Sequence, residues 1–300
     1  MYAERPAWAR QRGVALILAI WVLVLLTVLI GAYAVLARGE NLEARNLFDG
    51  LKARYAAESG IHYAAYQMRN PQIETRWSAD GRPYPMNFGG AEVEIRITDE
   101  TGKVDINVAP AETLIRLLEG QGIETSRAEE LAAAIEDWRD GDELTRPLGA
   151  EADDYQAAGY TYVPRNGPFA TVDELQQVLG FDYELYRAVE PGVTVYSGRG
   201  QINPAFAPLT ALLTMPEMTP EQALDFITLR EQQDPQSGLP LTLPDGTAVL
   251  AQGGGLTYSV EARATLANHI FYDVRATIRL GTDYLGQPFR IVRWREGEYN

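Results

Sequence analysis

Apolar positions along this chain follow three different rhythms. Between Arg12 and Arg38 they are continuous: GVALILAIWVLVLLTVLIGAYAVLA runs 25 residues without a charge. Roughly 20 apolar residues at about 1.5 Å each span a bilayer core, so this stretch predicts a membrane-crossing helix. Beyond it the pattern turns amphipathic. Leu42, Leu47, Phe48, Leu51, Tyr55, Ile61, Ala65 and Met68 recur mostly three and four apart, with charges between them, which predicts one helix continuing to Asn70-Pro71. Gly39, Gly50 and Gly60 weaken that helix without forbidding it. The two parts together make about 55 residues, or about 85 Å. The exported half cannot bury its apolar side alone. It needs a domain packed on it, or neighbouring subunits.

The second rhythm is alternation. It is strict in Glu92–Thr98, loose in Leu256–Ala264 and clearer in Phe271–Leu280, and Phe289–Trp294 closes the set, with Asn268-His269 as a turn between the middle two. Period-two patterning predicts half-buried strands. One antiparallel sheet packed on the long helix is the economical assembly. Between these strands, over about 106–235, the third rhythm is helical. It predicts helices at Ala111–Glu119, Arg127–Arg139, Val172–Val178, Tyr183–Val189, Phe206–Thr214 and Pro220–Gln232. Pro110 and Pro220 sit near helix starts, and Thr171-Val172-Asp173-Glu174 reads as a capping box. The expected fold is α+β: a pilin-like long N-terminal helix on an antiparallel β-sheet, with a large all-α domain of helix-hairpin-helix or SAM-like type inserted between strands. The expected divisions are 1–13 leader, 14–37 transmembrane helix, 38–104 exported helix and first part of the β domain, 105–240 inserted α-helical domain, and 241–300 the C-terminal strands.

The insertion holds a weak internal repeat. Ile106-Asn107-Val108-Ala109-Pro110 leads to Leu117-Leu118, Ile123 and a helix. Ile202-Asn203-Pro204-Ala205 leads to Leu212-Leu213, Met218 and a helix. Such units resemble helix-hairpin-helix pairs, which in DNA-binding proteins set a Gly-rich hairpin against phosphates. Here the first hairpin, Gly120-Gln121-Gly122-Ile123-Glu124, has an acidic neighbourhood, and the second, Pro216-Glu217-Met218-Thr219, has no glycine. Packing is the favoured role.

Charge sharpens the picture. The chain carries 41 Asp and Glu against 26 Lys and Arg. Residues 99–190 alone hold a net −14, whereas the first 98 sum to +2 and the last 110 to −3. An acidic module between near-neutral flanks argues against a nucleic-acid surface. It reads as a solvated surface or as a cation site. There are no cysteines, so no disulfide and no thiol-ligated metal is possible, and only two histidines, His62 and His269. A Ser-His-Asp triad or a multi-histidine zinc site has little to build on.

Arg5, Arg10 and Arg12 against Glu4 hold the N-terminus on the cytoplasmic side, so everything after Arg38 is expected to be exported. Three devices share this layout. A Sec signal peptide would use Ala32-Tyr33-Ala34, although the apolar run before it is long. A plain signal anchor needs no cleavage. A prepilin leader would end at Gly13, with cleavage before Val14.

The ordered set of Gln11-Arg12-Gly13, Ala56-Ala57-Glu58-Ser59-Gly60-Ile61, Asp99-Glu100-Thr101-Gly102-Lys103-Val104-Asp105-Ile106-Asn107, Asp137-Trp138-Arg139-Asp140-Gly141-Asp142, Gly149-Ala150-Glu151 with Tyr155, Tyr162-Val163-Pro164-Arg165-Asn166 and the second Ile202-Asn203 unit resembles the general secretion pathway protein K family, the large minor pseudopilins of type II secretion systems. The resemblance covers essentially the whole chain. It implies a non-enzymatic protein, processed by prepilin peptidase at Gly13–Val14. The mature protein would be a single-pass inner-membrane protein with its C-terminal domain in the periplasm. It would cap the tip of the periplasmic pseudopilus with minor pseudopilins I and J and help initiate assembly for protein export. Pilin-like subunits usually carry Glu at the fifth mature position, where it neutralises a neighbour's terminal amine. Here that position is Leu18, a departure the K family shares and one that fits a subunit with nothing above it. The partner interface is expected on Leu42, Leu47, Phe48, Leu51 and Tyr55. The spacing Asp137, Asp140, Asp142 with a later Glu151 can converge on one calcium ion, although its order is not that of an EF-hand. The family's inserted domain binds calcium. The resemblance therefore implies a structural ion on Asp140, Asp142 and Glu151, with Asp137 and Asp153 or Asp154 as second choices. The competing readings are a signal-anchored periplasmic helix-hairpin-helix protein binding DNA, a minor pilin of a type IV pilus, and a carboxylate-based hydrolase, for which no pattern singles out an acid and a base.

Overall fold

The computed structural model describes residues 12–235, 237–250, 254–281 and 286–297. Most of the expected leader, residues 1–11, lies outside the described residues. Helix α1 runs unbroken from Arg12 to Met68, 57 residues. It is the one described helix long and apolar enough to cross a membrane, and none of its most apolar window is buried by the rest of the chain.

Its upper part packs on a five-stranded antiparallel sheet. The strands are β1 (Asp80–Phe88), β2 (Ala91–Asp99), β7 (Thr257–Leu266), β8 (Phe271–Leu280) and β9 (Phe289–Glu296), in that spatial order. Alternation decides the buried face, because successive side chains in a strand point to opposite sides. Val93, Ile95 and Ile97 of β2 meet Val260, Ala262 and Ala264 of β7 and Val274, Ala276 and Ile278 of β8. Helix α1 contributes Ala53, Ala56, Ala57, Ile61, Ala64 and Ala65 to the same core. These small residues let the helix lie close. A Cβ on Gly60 would stand 3.0 Å from that of Ala262. The Ala-Ala-Glu-Ser-Gly-Ile stretch is therefore the helix's seat on the sheet.

Strand β1 was not expected. Pro83 and Pro85 suppress the strand signal, yet β1 is an edge strand, where proline is tolerated. It is tied to α1 by an aromatic stack, with Trp77 flat on Tyr84 at 4.1 Å and edge-on to Tyr63 at 5.3 Å.

Between β2 and β7 lies the inserted module. It holds β3 (Val104–Asp105), α2 (Ala111–Glu119), α3 (Thr125–Arg139), α4 (Ala152–Ala157), α5 (Tyr183–Val189), β4 (Val193–Thr194), α6 (Leu209–Leu212), α7 (Pro220–Gln232), β5 (Leu241–Thr242) and β6 (Ala248–Val249). It has its own core, including Leu114, Leu118, Leu131, Ile135, Trp138, Tyr155 and Leu212. The module is mostly helical rather than all-α, since β3 pairs in parallel with β4 and β5 with β6 antiparallel. Leu241 and Leu243 pack into this helical core, so the chain leaves the module later than residue 240. The segment Val172–Gln177 is a 3-10 helix, not an α-helix. The helix expected at Phe206–Thr214 shrinks to Leu209–Leu212, because Pro208 sits at its N-cap. Helix α4 is not among the expected helices; Asp153 and Asp154, the second-choice calcium ligands, lie in its first turn, where acidic residues are favourable.

The internal repeat is structural. Pro110 and Pro208 are each the N-cap of a first helix. From the second helix of the first unit, Arg139 donates to the carbonyls of Ile106 and Ala109, at 2.6 and 2.8 Å. From that of the second unit, Arg230 donates to those of Pro204 and Ala207, at 3.1 and 2.9 Å. In each unit the acceptors lie four and one residues before the proline. Gly122 and Glu217 both adopt left-handed backbone, at φ +83° and +60°, one residue before Ile123 and Met218. These in turn pack against the helical core.

Two buried clusters join sheet to module. Asp99 accepts hydrogen bonds from the Thr101 N–H, the Thr101 hydroxyl and the Gly255 N–H. Glu100 pairs with Lys103 at 2.8 Å and accepts hydrogen bonds from the hydroxyls of Ser259, at 2.6 Å, and Thr194, at 2.5 Å. On the outer side, Arg293 and Arg295 of β9 each pair with Asp173 and Glu190 of the module.

Candidate functional site

Two regions collect the residues singled out in the sequence. The first is the uncovered face of α1. The sheet meets the helix from Ala53 upward, and below that point large apolar side chains stand free. Leu42, Leu47, Phe48, Leu51 and Tyr55 are 51–68 % exposed. So are Val14 and Leu18, at about 60 %, among the other side chains of the apolar run. Gly13 lies in the first turn of the helix. Exposed leucine and phenylalanine in such number are unstable in water, at roughly 25 cal/mol per Å² of apolar surface. The helix carries the stripe because its sheet-facing positions hold small residues, and its bulky residues fall on the other side. His62 sits higher on the helix, with its ring edge-on to Phe289 at 5.5 Å, and His269 takes the left-handed turn between β7 and β8 at φ +64°.

The second region is the acidic loop after α3. Asp137 is fully buried in the last turn of that helix. Its Oδ2 accepts the Arg146 backbone N–H at 3.2 Å, and its Oδ1 accepts from Arg146 Nη1 at 2.9 Å. Asp140, the C-cap residue, is paired with the same Nη1. Asp142 is exposed and accepts from the Leu144 N–H. Gly149 leaves the room Asp137 needs, since a Cβ there would fall 2.0 Å from Asp137 Oδ2.

Glu151 is the unusual group. It is only 4 % exposed, and neither carboxylate oxygen has a hydrogen-bond partner. Burial first, and then the negative charges of Asp137, Asp140, Asp142 and Glu143, push its carboxyl up to about 7. An orphaned buried carboxylate facing other carboxylates is costly unless a cation or proton joins it. Asp153 is exposed, and Asp154 Oδ2 accepts the Glu151 backbone N–H at 2.9 Å, which closes the start of α4.

The structure thus brings Asp137, Asp140, Asp142 and Glu151 into one electrostatic neighbourhood. Among the described residues, no three Asp, Glu or His are arranged to hold an ion as they stand. The guanidinium of Arg146 lies among the carboxylates instead, with Glu136 Oε2 at 3.6 Å as a third acidic neighbour. Sequence reasoning missed Arg146. The signal was present, since it is the sole basic residue between Asp140 and Arg165.

A profile of the family described as type II secretion system (T2SS), protein K, matches residues 96–198, from the end of β2 through the acidic loop to just past β4. A type II secretion system protein K from Klebsiella pneumoniae is 29 % identical over 248 residues, covering 74 % of this chain and 76 % of that protein. One from Pectobacterium carotovorum subsp. carotovorum is 27 % identical over 97 % of this chain and 98 % of its own length. In the crystal structure of the GspK–GspI–GspJ complex from enterotoxigenic Escherichia coli, one chain matches with a TM-score of 0.56 and 21 % identity, over 86 % of this chain and all of that one. Over residues 96–198 the chain matches the type II secretion system protein K family, and proteins of that name are similar to it over most of its length.

Proposed function

We propose that this chain, a minor pseudopilin, caps the tip of the periplasmic pseudopilus together with minor pseudopilins I and J and helps to start its assembly. The observation that carries the reading is the uncovered helix. From Val14 to Phe48 about 50 Å of α1 extends below the sheet with its apolar side chains exposed. The membrane covers its lower part, and neighbouring subunit helices cover Leu42, Leu47, Phe48, Leu51 and Tyr55. The structurally similar complex joins GspK with GspI and GspJ, and partners of that kind suit this stripe. Leu18 brings no carboxylate to a neighbour's amine, which restricts the subunit to the end of the fibre. The module's bulk, set between β2 and β7, suits a cap better than a repeating shaft. Prepilin peptidase would cut after Gly13, freeing Val14, and the protein would remain a single-pass inner-membrane protein facing the periplasm. The role is one of assembly, with no catalytic step.

Calcium fits the acidic loop. Glu151 supplies a buried carboxylate without a donor, and Asp137, Asp140 and Asp142 supply the negative field around it. Carboxylate oxygens are what calcium prefers. Bound there, the ion would neutralise these groups and fix the loop between α3 and α4.

The test is occupancy and location. Quantitative mass spectrometry of isolated pseudopili should find this chain far scarcer than the major subunit, with its N-terminus at Val14, and gold labelling should find it at one end. Leu47→Glu with Leu51→Glu should abolish co-purification with I and J without unfolding the domain, because both side chains are exposed. A regular distribution along the shaft, or an intact Met1, would overturn the reading.

A further inference from the structure

The arginine in the acidic loop has a role that the cation reading leaves open. The Arg146 guanidinium pairs with three acids, Asp137, Asp140 and Glu136. Its guanidinium is held by the two carboxylates that flank the buried Glu151. The side chain is 39 % exposed, so it has a path to solvent. The loop does not depend on that side chain for its anchorage. The Arg146 N–H donates to Asp137 Oδ2, the Gly149 N–H to the Arg146 carbonyl, and the Leu144 N–H to Asp142 Oδ1. Leu148 adds a left-handed backbone at φ +68°, which fixes the turn before Gly149.

A cation at these carboxylates and the guanidinium of Arg146 require the same oxygens. They also repel each other at a few ångströms. We infer that Arg146 is an internal counter-ion that competes with calcium for Asp137 and Asp140, so that the ion enters only as the guanidinium swings out to solvent. The inference rests on the calcium reading of this loop. Arg146 stabilises the cation-free module, weakens the site's affinity, and leaves the loop in a different side-chain arrangement once the ion binds. Glu151, which the guanidinium does not reach, is the group that favours the ion over the arginine. The device suits a protein that folds before it meets calcium, because the cation-free acids are never left wholly unpaired.

Calcium titration by calorimetry tests this on the full chain in detergent, stripped beforehand with a chelator. Arg146→Gln should bind calcium at least tenfold more tightly than the parent, and Arg146→Lys should fall between them. In chelator, Arg146→Gln should melt below the parent, and calcium should close that gap. Equal or weaker calcium binding by Arg146→Gln, with the parent binding normally, would overturn the competition alone. If neither the parent nor the variant binds calcium, the calcium reading itself fails and the inference falls with it. Should Arg146→Gln not fold without the ion, Arg146→Lys decides: tighter binding than the parent supports competition, and equal or weaker binding refutes it.

Discussion

Gly102→Ala would test how sheet and helical module are locked together. Gly102 ends the 3-10 turn that follows β2. A Cβ there would stand 2.4 Å from the carbonyl carbon of Phe206, 2.5 Å from its oxygen and 2.7 Å from the Ala207 nitrogen. All three are backbone atoms, so no rotamer change relieves the overlap. The opposing backbone is also held in place. The Asn203 N–H donates to the Thr101 carbonyl at 2.8 Å, and Arg230 grips the Ala207 carbonyl at 2.9 Å. Reaching ordinary contact takes a shift of roughly 1 Å. Overpacking of this kind costs about 1–3 kcal/mol. Breaking one of the bridging hydrogen bonds adds about 1 kcal/mol. The reduced freedom of the unfolded chain returns about 0.5 kcal/mol. The net loss is about 2.5 kcal/mol, or about 4 °C in Tm for a chain of 300 residues. Near-UV circular dichroism melts of the full chain in detergent would read it. Gly50→Ala is the control, since nothing lies within 4 Å of its Cβ and a helical glycine gains up to about 1 kcal/mol on becoming alanine. A Gly102→Ala protein that melts within 2 °C of the parent would refute the close-approach argument.

Arg230→Ala should destabilise the chain by about 3 kcal/mol in urea unfolding, because the carbonyls of Pro204 and Ala207 lose their donor inside the fold. Arg139→Ala should lose a similar amount if the two units use the same device, and an effect under 1 kcal/mol in both would show that the contacts are incidental. Asp173→Asn should weaken the clamp between β9 and the module at pH 7. Burial alone would raise the Asp173 carboxyl, but the Tyr186 hydroxyl and the charges of Arg293 and Arg295 outweigh it and hold the group below its ordinary value. Its contribution is therefore present above about pH 4 and is lost as pH falls through the depressed value, so the difference in denaturant midpoint between parent and variant should shrink steadily as pH falls below about 4. A constant difference from pH 7 to pH 3 would show that Asp173 acts by shape rather than charge.

Local chemistry determined much of this protein before any contact was known. The uncharged run and the three-four spacing beyond it fix α1, because a helix needs only its own backbone hydrogen bonds and a consistent apolar side. Strands β2, β7, β8 and β9 follow from alternation, and α2, α5 and α7 fall at the expected residues. The resemblance to protein K was legible as well, through motifs that the fold explains: Asp99 to Lys103 as the buried junction, and Ala56 to Ile61 as the helix seat. Contacts distant in sequence decided the rest. Strand β1 exists because β2 offers it an edge, which its prolines alone would not suggest. The end of α3 and the loop after it become a site only when Glu151 is buried beside Asp137 and Asp140, since burial turns a solvated carboxylate into one that demands a partner. Arg146, one base among many acids in the sequence, gains its place there because the loop folds back on α3. Sequence spacing carries periodicity and charge. Which charge is dry, and which neighbour shares its oxygens, is set by the packing of the whole chain.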